Sequence, residues 1–452
     1  MDRKRCALIL LLAAALLPSA SEAQSLNARR LGMGGVVTSD NGDRSGVNIA
    51  FRAVPPSLEG SSTIPLPLGL IQYANDHPTF DSGDSTFNIY EIMNVVLNPP
   101  FTIQIQKPKA VSGDISVYLA QDSLQVDLSD VRRVIPAGSA MNGGVYHLGG
   151  VGKGFGKVFV LVSPLVHIRN SFTLSDELRA ALRDAVPFQG RTRYGLTDEG
   201  RAQAAIAFQA GVAWRAIHRS GAQEDEIPDP RRNGSTALYL GAGPKYLWGL
   251  AYADAQGAAG LTTGDTLFSD QNPVSLDAIT RSRHAVIGGD GGSGTGYGSD
   301  VGAVLYLRNF EVGLGLNDLG SQIRWKTTVR QYVYDDSTNE FVTSTIEKDT
   351  KYTSRIPVTT TVNVAKRIGR TTLAGDVVAG ELNTTLHAGA ELWFGKLALR
   401  GGTYRDQNEL WQVAGGAGVR FGKIGLDAAV ATNSRNIERE RGTELSASLS
   451  LY

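Results

Sequence analysis

Between residues 384 and 394 every second side chain falls on the same face. Leu386, Ala388, Ala390, Leu392 and Phe394 share one side, and Thr385, His387, Gly389, Glu391 and Trp393 share the other. A side-chain period of two belongs to a β-strand, so this pattern constrains the fold more than any other feature of the chain. It recurs over residues 410–421, where Trp411, Val413, Gly415, Ala417, Val419 and Phe421 oppose Gln412, Ala414, Gly416, Gly418 and Arg420. Ile424, Leu426, Ala428 and Val430 oppose Gly425, Asp427 and Ala429; Phe310, Val312, Leu314 and Leu316 oppose Glu311, Gly313, Gly315 and Asn317. Ile356, Val358, Thr360, Val362 and Val364 continue the series. Alternation alone fits a soluble sandwich as well as a membrane barrel.

Turn lengths separate the two. Reading back from Tyr452, tight connections fall at residues 421–423, 394–396, 367–370 and 308–309, while the connections between them include the long polar runs 433–443 and 317–354. Short turns therefore collect at the end where Tyr452 lies, as in barrels with short periplasmic turns and longer external loops. Carried upstream, the parity makes 298–308 a descending strand, 236–254 a long ascending one, 204–217 descending and 157–169 ascending, with a large periplasmic connection at 219–234. External excursions are expected at 255–296 and after residue 169, the latter holding a short helix over 175–185 capped by Ser175. Residues 64–73 contain Pro65 and Pro67, and 87–97 fits helix or strand. The expectation is an all-β fold, a closed antiparallel transmembrane β-barrel of about 14 strands (about 12 to about 16), with short helices in its loops.

The opening residues fit export. Arg3, Lys4 and Arg5 precede an apolar run over 7–17 and small residues ending in Ser21-Glu22-Ala23, which reads as a signal peptide over 1–23, cleaved near Ala23. The run is shorter than the roughly 20 residues a spanning helix needs. Cys6, the only cysteine, leaves with it, so the mature chain has no disulfide, thiolate nucleophile or cysteine metal site. With 44 basic and 44 acidic residues, no nucleic-acid partner is expected. With 53 glycines and 42% hydrophobic residues, no later stretch is long and apolar enough for a membrane helix. A membrane location would then require a closed sheet.

Motifs for chemistry are sparse. The run GGVGKGFGK at 149–157 fails as a phosphate loop, because Val151 stands at the first glycine position and Val158 follows the lysine; it reads as a flexible periplasmic turn. GGDGGSGTGYG at 288–298 reads as a mobile external loop entering a strand. Neither H-E-x-x-H nor G-x-S-x-G occurs. Histidines 77, 147, 167, 218, 284 and 387 are dispersed, and although His387 and Glu391 share a strand face, hydrogen bonding inside a barrel accounts for them. No catalytic residue, metal site or cofactor is expected, and the chain is not read as an enzyme. The phase opposite the apolar one carries Asp300, Glu311, Asp376, His387, Glu391, Arg400, Arg420 and Asp427. These are the lumen-facing candidates, since a charge facing lipid near the midplane would cost a few kcal/mol. In a soluble fold they would be the solvated face.

Directly after the signal stands Ala28-Arg29-Arg30-Leu31-Gly32-Met33-Gly34-Gly35-Val36. It resembles the opening of outer-membrane proteins in the long-chain fatty-acid transporter superfamily, which also includes type IX secretion shuttle barrels. The resemblance implies a small plug, here residues 24–60, inside a barrel over 61–452, usually of fourteen strands. Leu31, Gly32, Met33, Gly34 and Gly35 become ligand or plug candidates. The family's usual Asn-Pro-Ala-Gly continuation is replaced by Asn48-Ile49-Ala50-Phe51 and then Pro55-Pro56. The resemblance further implies a bacterial outer-membrane location and passive passage of hydrophobic small molecules such as fatty acids, with exit at a kinked strand. Gly241, Gly243 and Pro244 mark the kink candidate, where a proline that cannot donate to the ladder predicts a bulge; Pro164 is a second. The alternative is a non-transporting barrel that binds secreted or envelope proteins through its external loops. Expected partners are outer-membrane lipid, a hydrophobic small-molecule ligand and the barrel assembly machinery, for which Tyr452 supplies a terminal aromatic one residue out of phase with Leu445, Ala447, Leu449 and Leu451. The barrel is expected to be a monomer.

Overall fold

The computed structural model describes residues 27–40, 47–55, 62–65, 101–103, 116–120, 123–127, 140–147, 151–184, 186–219, 236–265, 275–335, 337–338, 340–382, 384–405, 411–432 and 443–451. The expected signal peptide and the stretches 66–73, 87–97, 220–234 and 433–442 lie outside the described residues. In chain order the strands are β1 (Ser62–Pro65), β2 (Phe101–Ile103), β3 (Ser116–Ala120), β4 (Ser123–Asp127), β5 (Ala140–His147), β6 (Val151–Phe155), β7 (Val158–Leu174), β8 (Arg193–Arg219), β9 (Thr236–Thr262), β10 (Ser275–Val286), β11 (Gly294–Leu307), β12 (Phe310–Asp335), β13 (Glu340–Arg355), β14 (Thr359–Ile368), β15 (Thr371–Ala379), β16 (Thr385–Phe394), β17 (Leu397–Arg405), β18 (Trp411–Phe421), β19 (Ile424–Thr432) and β20 (Thr443–Leu451).

All of these except the pair β3 and β4 join one 18-stranded sheet. Four of them add no column of their own. β5 and β6 pair end to end along β7, and β1 and β2 do the same along β20. β10 continues along β9 beyond β11, and β13 continues along β12 beyond β14. Fourteen columns remain, as the alternation and turn parity led one to expect. The antiparallel ladder is unbroken from the β5/β6 column round to the β1/β2 column; pairing between those two lies outside the described residues.

The sheet curls round the N-terminal segment. A helix at Ala28–Gly32 packs on β17 to β20, while a 3-10 turn at Ile49–Ala53 packs on β8, β9 and β11. Side chains also meet across the interior, with His147 of β5 bonded to Asp318 of β12. A sheet that encloses one segment and bonds to itself across it is a barrel. Its polarity is inverted relative to a soluble protein: Val158, Val160, Val312, Leu314, Val362, Val364, Leu397, Leu399, Ile424 and Leu426 are exposed, whereas Glu311, Asn363, Arg400 and Asp427 between them are buried. In water each such aliphatic side chain would forgo roughly 1.5–3 kcal/mol of burial. A band of them fits a hydrocarbon surround.

Five two-residue turns close hairpins at Gly156-Lys157, Arg308-Asn309, Gly369-Arg370, Gly395-Lys396 and Gly422-Lys423. Their first residues take φ of 64°, 58°, 58°, 64° and 63°, the sense of turn that matches the twist of the flanking strands. The predicted helix is present as Asp176–Arg183, with the Ser175 hydroxyl accepting the Leu178 N–H at 3.2 Å.

Several expectations need correction. Residues 151–155 are not a flexible turn but strand β6, because β7 supplies a ladder that glycines can join. The external runs 255–296 and 317–354 are largely projecting hairpins: β9 extends to Thr262 and is answered by β10, and β12 extends to Asp335 and returns as β13. The answering strands β10 and β13 are mixed in character and largely exposed, so no regular apolar period marked them. Residues 294–298 likewise belong to β11, with the turn confined to the glycines before it. Pro244 makes no bulge. It pairs with Ser299 in unbroken register, and Gln209 with Lys245 and Val212 with Ala242 keep one register on its other side. The steps lie instead at Leu250, between the pairs of Gly249 and Ala251, at Ala216 of β8, and in β12 opposite Ser299, where Asp318 takes φ of 61° and Gly320 of 63°. At Pro164 the β5 and β6 pairings are one residue out of step, so that proline does mark an irregularity.

Candidate functional site: the occupied lumen

The Leu-Gly-Met-Gly-Gly motif is a helix stop. Asn27 caps the helix by accepting the Arg29 N–H at 2.9 Å, and one turn later the Gly35 N–H bonds the Arg30 carbonyl while the Gly34 N–H bonds the Leu31 carbonyl, both at 2.9 Å. That nested pair requires a left-handed residue, and Gly34 has φ of 69°. Gly34 has no room for a side chain either, since a Cβ there would lie 2.6 Å from the Thr403 nitrogen. The wall is carved to match: a Cβ on Gly389 or Gly402 would strike the Met33 backbone at 2.1 and 2.3 Å, and one on Gly416 would sit 3.1 Å from the Gly32 Cα. Leu31 packs with Tyr404, Ala414 and Ala429. The sequence candidates 31–35 thus form one buried turn against β16, β17 and β18.

Charged groups fasten this turn. Arg29 donates from Nε and Nη2 to the two Glu391 oxygens at 2.8 and 2.6 Å, and from Nη1 to the Asp40 carbonyl at 2.9 Å. Glu391 also accepts from Arg400 Nε at 2.7 Å and Trp393 Nε1 at 2.9 Å, and Arg400 Nη1 donates to Asp427 at 2.7 Å. Asp376 accepts the Val37 N–H at 2.6 Å and bonds His387 Nδ1 at 2.5 Å. Glu311 accepts from the Ser39 N–H at 3.0 Å, the Ser39 hydroxyl at 2.5 Å, the Tyr306 hydroxyl at 3.0 Å and Asn363 at 2.9 Å. His387 and Glu391, which share a strand face, therefore serve separate networks. Arg420, near the end of β18, donates from Nε to the Gly422 carbonyl at the hairpin turn.

A second stretch of the segment lies against the opposite wall. Asn48 caps the 3-10 turn through the Ala50 N–H at 3.0 Å and donates to the Ala303 carbonyl at 3.2 Å, while Asn317 donates to the Val47 carbonyl at 2.9 Å. Gly241 and Gly243 matter here as space, not as a kink: Cβ atoms on them would lie 2.8 Å from the Ala50 nitrogen and 2.9 Å from Ile49 Cδ1.

Asp300 belongs to a network the sequence did not disclose. Lys245 Nζ lies 2.7 Å from Asp300 and 2.6 Å from Asp318, Gln209 donates to Asp300 at 2.6 Å, and His147 Nε2 is 3.0 Å from Asp318. The available signal was the phase of Lys245, which follows Gly241 and Gly243 on the inner face of β9. Outward of Lys245 the inner wall turns apolar, with Leu165, Leu247, Tyr252, Ile323, Trp325 and Ile356 in one buried cluster. Beyond it, Glu381 of the β15–β16 loop bonds His167 Nε2 at 2.7 Å and Arg169 Nη1 at 2.8 Å. Burial alone would raise the Glu381 carboxyl, but the hydrogen bond and charge of His167, followed by those of Arg169, hold it down at about 2. Among the described residues no group of three or more His, Cys, Asp and Glu side chains could hold a metal ion.

Among solved structures the chain is similar to the toluene transporter TodX of Pseudomonas putida, at 10% identity over 75% of this chain and 94% of that one, with a TM-score of 0.24. It is also similar to the translocation pore of the P pilus usher PapC (9% identity, 69% and 95% covered, TM-score 0.19). A third is a mutant of the ferric enterobactin receptor PfeA of Pseudomonas aeruginosa (7% identity, 75% and 79% covered, TM-score 0.18). Scores this low tie the chain to no particular one of them. No curated protein matches. Residues 229–451, from the β8–β9 connection to the end of β20, match a family described as a family of unknown function, DUF5723.

Proposed function

We propose that this chain is a plugged barrel of the bacterial outer membrane that passively admits small molecules with a substantial hydrophobic part, fatty acids among them. The observation that carries this reading is the apolar cluster on the inner wall. A lumen built for water and ions is polar throughout. Here Leu165, Ala205, Leu247, Tyr252, Ile323 and Trp325 line the inside of β7, β8, β9 and β12 between the external mouth and the N-terminal segment. Ligand pockets are mostly apolar with a few placed polar groups, and this stretch of wall has that character. Because the N-terminal segment fills the lumen, passage requires it to shift, with residues 31–35 and 47–50 leaving their glycine-lined seats. The reading is of a non-enzymatic monomer.

The test is uptake of labelled fatty acids and of an uncharged alkane into liposomes carrying the purified chain. Entry should exceed that of protein-free liposomes and fall in Trp325→Lys. Permeability equal to that of empty liposomes, with a secreted or envelope protein retained on the external hairpins, would replace transport with a scaffold.

A further inference from the structure

We propose that the inner wall of the external mouth holds a binding site for a small oxyanion, a carboxylate or phosphate group, centred on Arg201. Strand register brings the parts together. Arg169 of β7 stands opposite Arg201 of β8, Arg201 opposite Asp254 of β9, and Asp254 opposite Arg283 of β10. One step further out Gln256 pairs with Arg281. Between them lies a cavity of about 130 Å³ lined by Arg201, Arg281, Arg283, Glu199, Asp254 and Tyr352 among others.

Most of these charges already have partners. Arg281 donates to Glu347 at 3.1 Å, and Arg169 to Glu381 at 2.8 Å. Arg283 lies 3.6 Å from Asp254 and stacks over the Tyr352 ring at 4.2 Å. Asp254 also accepts the Tyr252 hydroxyl at 2.6 Å. Arg201 is the exception. Its guanidinium makes no hydrogen bond or ion pair with any described residue, and its buried Nε has no acceptor. Asp254 and Glu381 act on it only through their charge. The buried Nε of Arg283, facing the same cavity, is unsatisfied as well.

A partly buried guanidinium without an acceptor is a donor fork awaiting one, and its planar geometry matches a carboxylate or phosphate bidentately. Three arginines and two carboxylates line the cavity, and with Arg281 answered by Glu347 the recognition rests on the Arg201 fork and not on excess charge. The cavity is smaller than the roughly 300–1,000 Å³ that whole drug-sized ligands occupy, so it takes a head group or a small free anion. The site depends only on the geometry of the mouth and stands whether or not the barrel transports.

The folded, detergent-purified chain should be titrated calorimetrically at low ionic strength with inorganic phosphate and, separately, with malonate. Saturable binding of at least one is expected, and which one binds distinguishes phosphate from carboxylate recognition. Arg201→Gln should weaken it at least tenfold, while Arg324→Gln, which removes the same charge from an exposed position on β12, should leave it within twofold. If Arg201→Gln fails to give a heat-modifiable β protein, Arg201→Lys keeps the charge without the fork and should bind severalfold more weakly. Absence of saturable binding to the unaltered chain, equal weakening by the Arg201 and Arg324 substitutions, or unaltered binding by the Arg201 variant that folds would each overturn the assignment.

Discussion

Replacing Glu391 with alanine should release the N-terminal segment while leaving the barrel intact. The carboxylate is buried and receives four donated hydrogen bonds, two from Arg29 on the segment and one each from Arg400 and Trp393 on the wall. Removing it deprives two buried guanidinium groups of the carboxylate they share, while Arg400 keeps its bond to Asp427. Removing one partner of a buried ion pair typically costs about 3–5 kcal/mol. Arg400 keeps Asp427 whether or not the segment is docked, so the part that bears on docking is mainly that of Arg29. If about 3 kcal/mol falls there, a tenfold change per 1.4 kcal/mol gives a roughly hundredfold larger undocked fraction. Hydrogen exchange of the reconstituted protein reads this directly, because the Val37 and Ser39 amides donate to wall carboxylates. Amides over residues 29–39 should exchange about a hundredfold faster, at the magnitude expected of a local opening, while the β14 to β19 ladder keeps its protection. Unchanged exchange over 29–39, or its rise together with that of the ladder, would refute an anchoring role separate from the barrel's own stability.

Gly315→Ala should displace the other half of the segment, since its Cβ would lie 2.1 Å from the Val47 carbonyl; a loss of about 1–3 kcal/mol should appear as faster exchange at 47–53 with 29–39 unaffected. Lys245→Met leaves Asp300 and Asp318 buried together and should lower stability in lipid by about 3–5 kcal/mol, read as the midpoint of the heat-induced gel shift or of urea unfolding. The external loop bearing Glu381 should loosen in acid. Its carboxyl is depressed from 4.5 to about 2, so the attachment it provides is full above about pH 4.5 and is lost as pH falls through about 2. A spin label at Leu382 should report rising mobility across that window, and Glu381→Gln should make its mobility independent of pH there.

The barrel was legible because lipid imposes a strict rule on strands with one face in hydrocarbon. Val362 and Val364 had to alternate with Thr361 and Asn363, and a two-residue turn such as Gly395-Lys396 had to follow. The extensions β10 and β13 obey no such rule. Residues 340–355 are exposed along nearly their whole length and carry their few apolar side chains, Phe341, Val342 and Ile346, without alternation, so their pairing is set by the neighbouring strand and not by a periodicity of their own. The same limit hid the interior chemistry. Asp300, Glu311, Asp376, Glu391, Arg400 and Asp427 could be assigned to the inner face by phase, but not their partners: Arg29 comes from the N-terminal segment, Lys245 and Asp318 meet Asp300 through the register of the neighbouring strands β9 and β12, and His147 reaches Asp318 from β5. Arg420 has the right phase but stands at the strand's end, where the hairpin turn satisfies it. Residues 31–35 were singled out by the resemblance of their motif, and the helix stop they form emerged only with the fold. The glycines that receive it were not singled out, since Gly389, Gly402 and Gly416 look in sequence like small members of an alternating strand.

The barrel is turned inside out, with its apolar face outward and its polar face around the N-terminal segment. Nitroxide labels placed one at a time at residues 361–364 of β14 in the reconstituted protein test that most directly. Labels at Val362 and Val364 should be relaxed by oxygen dissolved in the lipid and shielded from a water-soluble metal complex, while labels at Thr361 and Asn363 should be far less accessible to oxygen. Accessibility of 362 and 364 to the water-soluble complex, or the absence of alternation along the four positions, would contradict it.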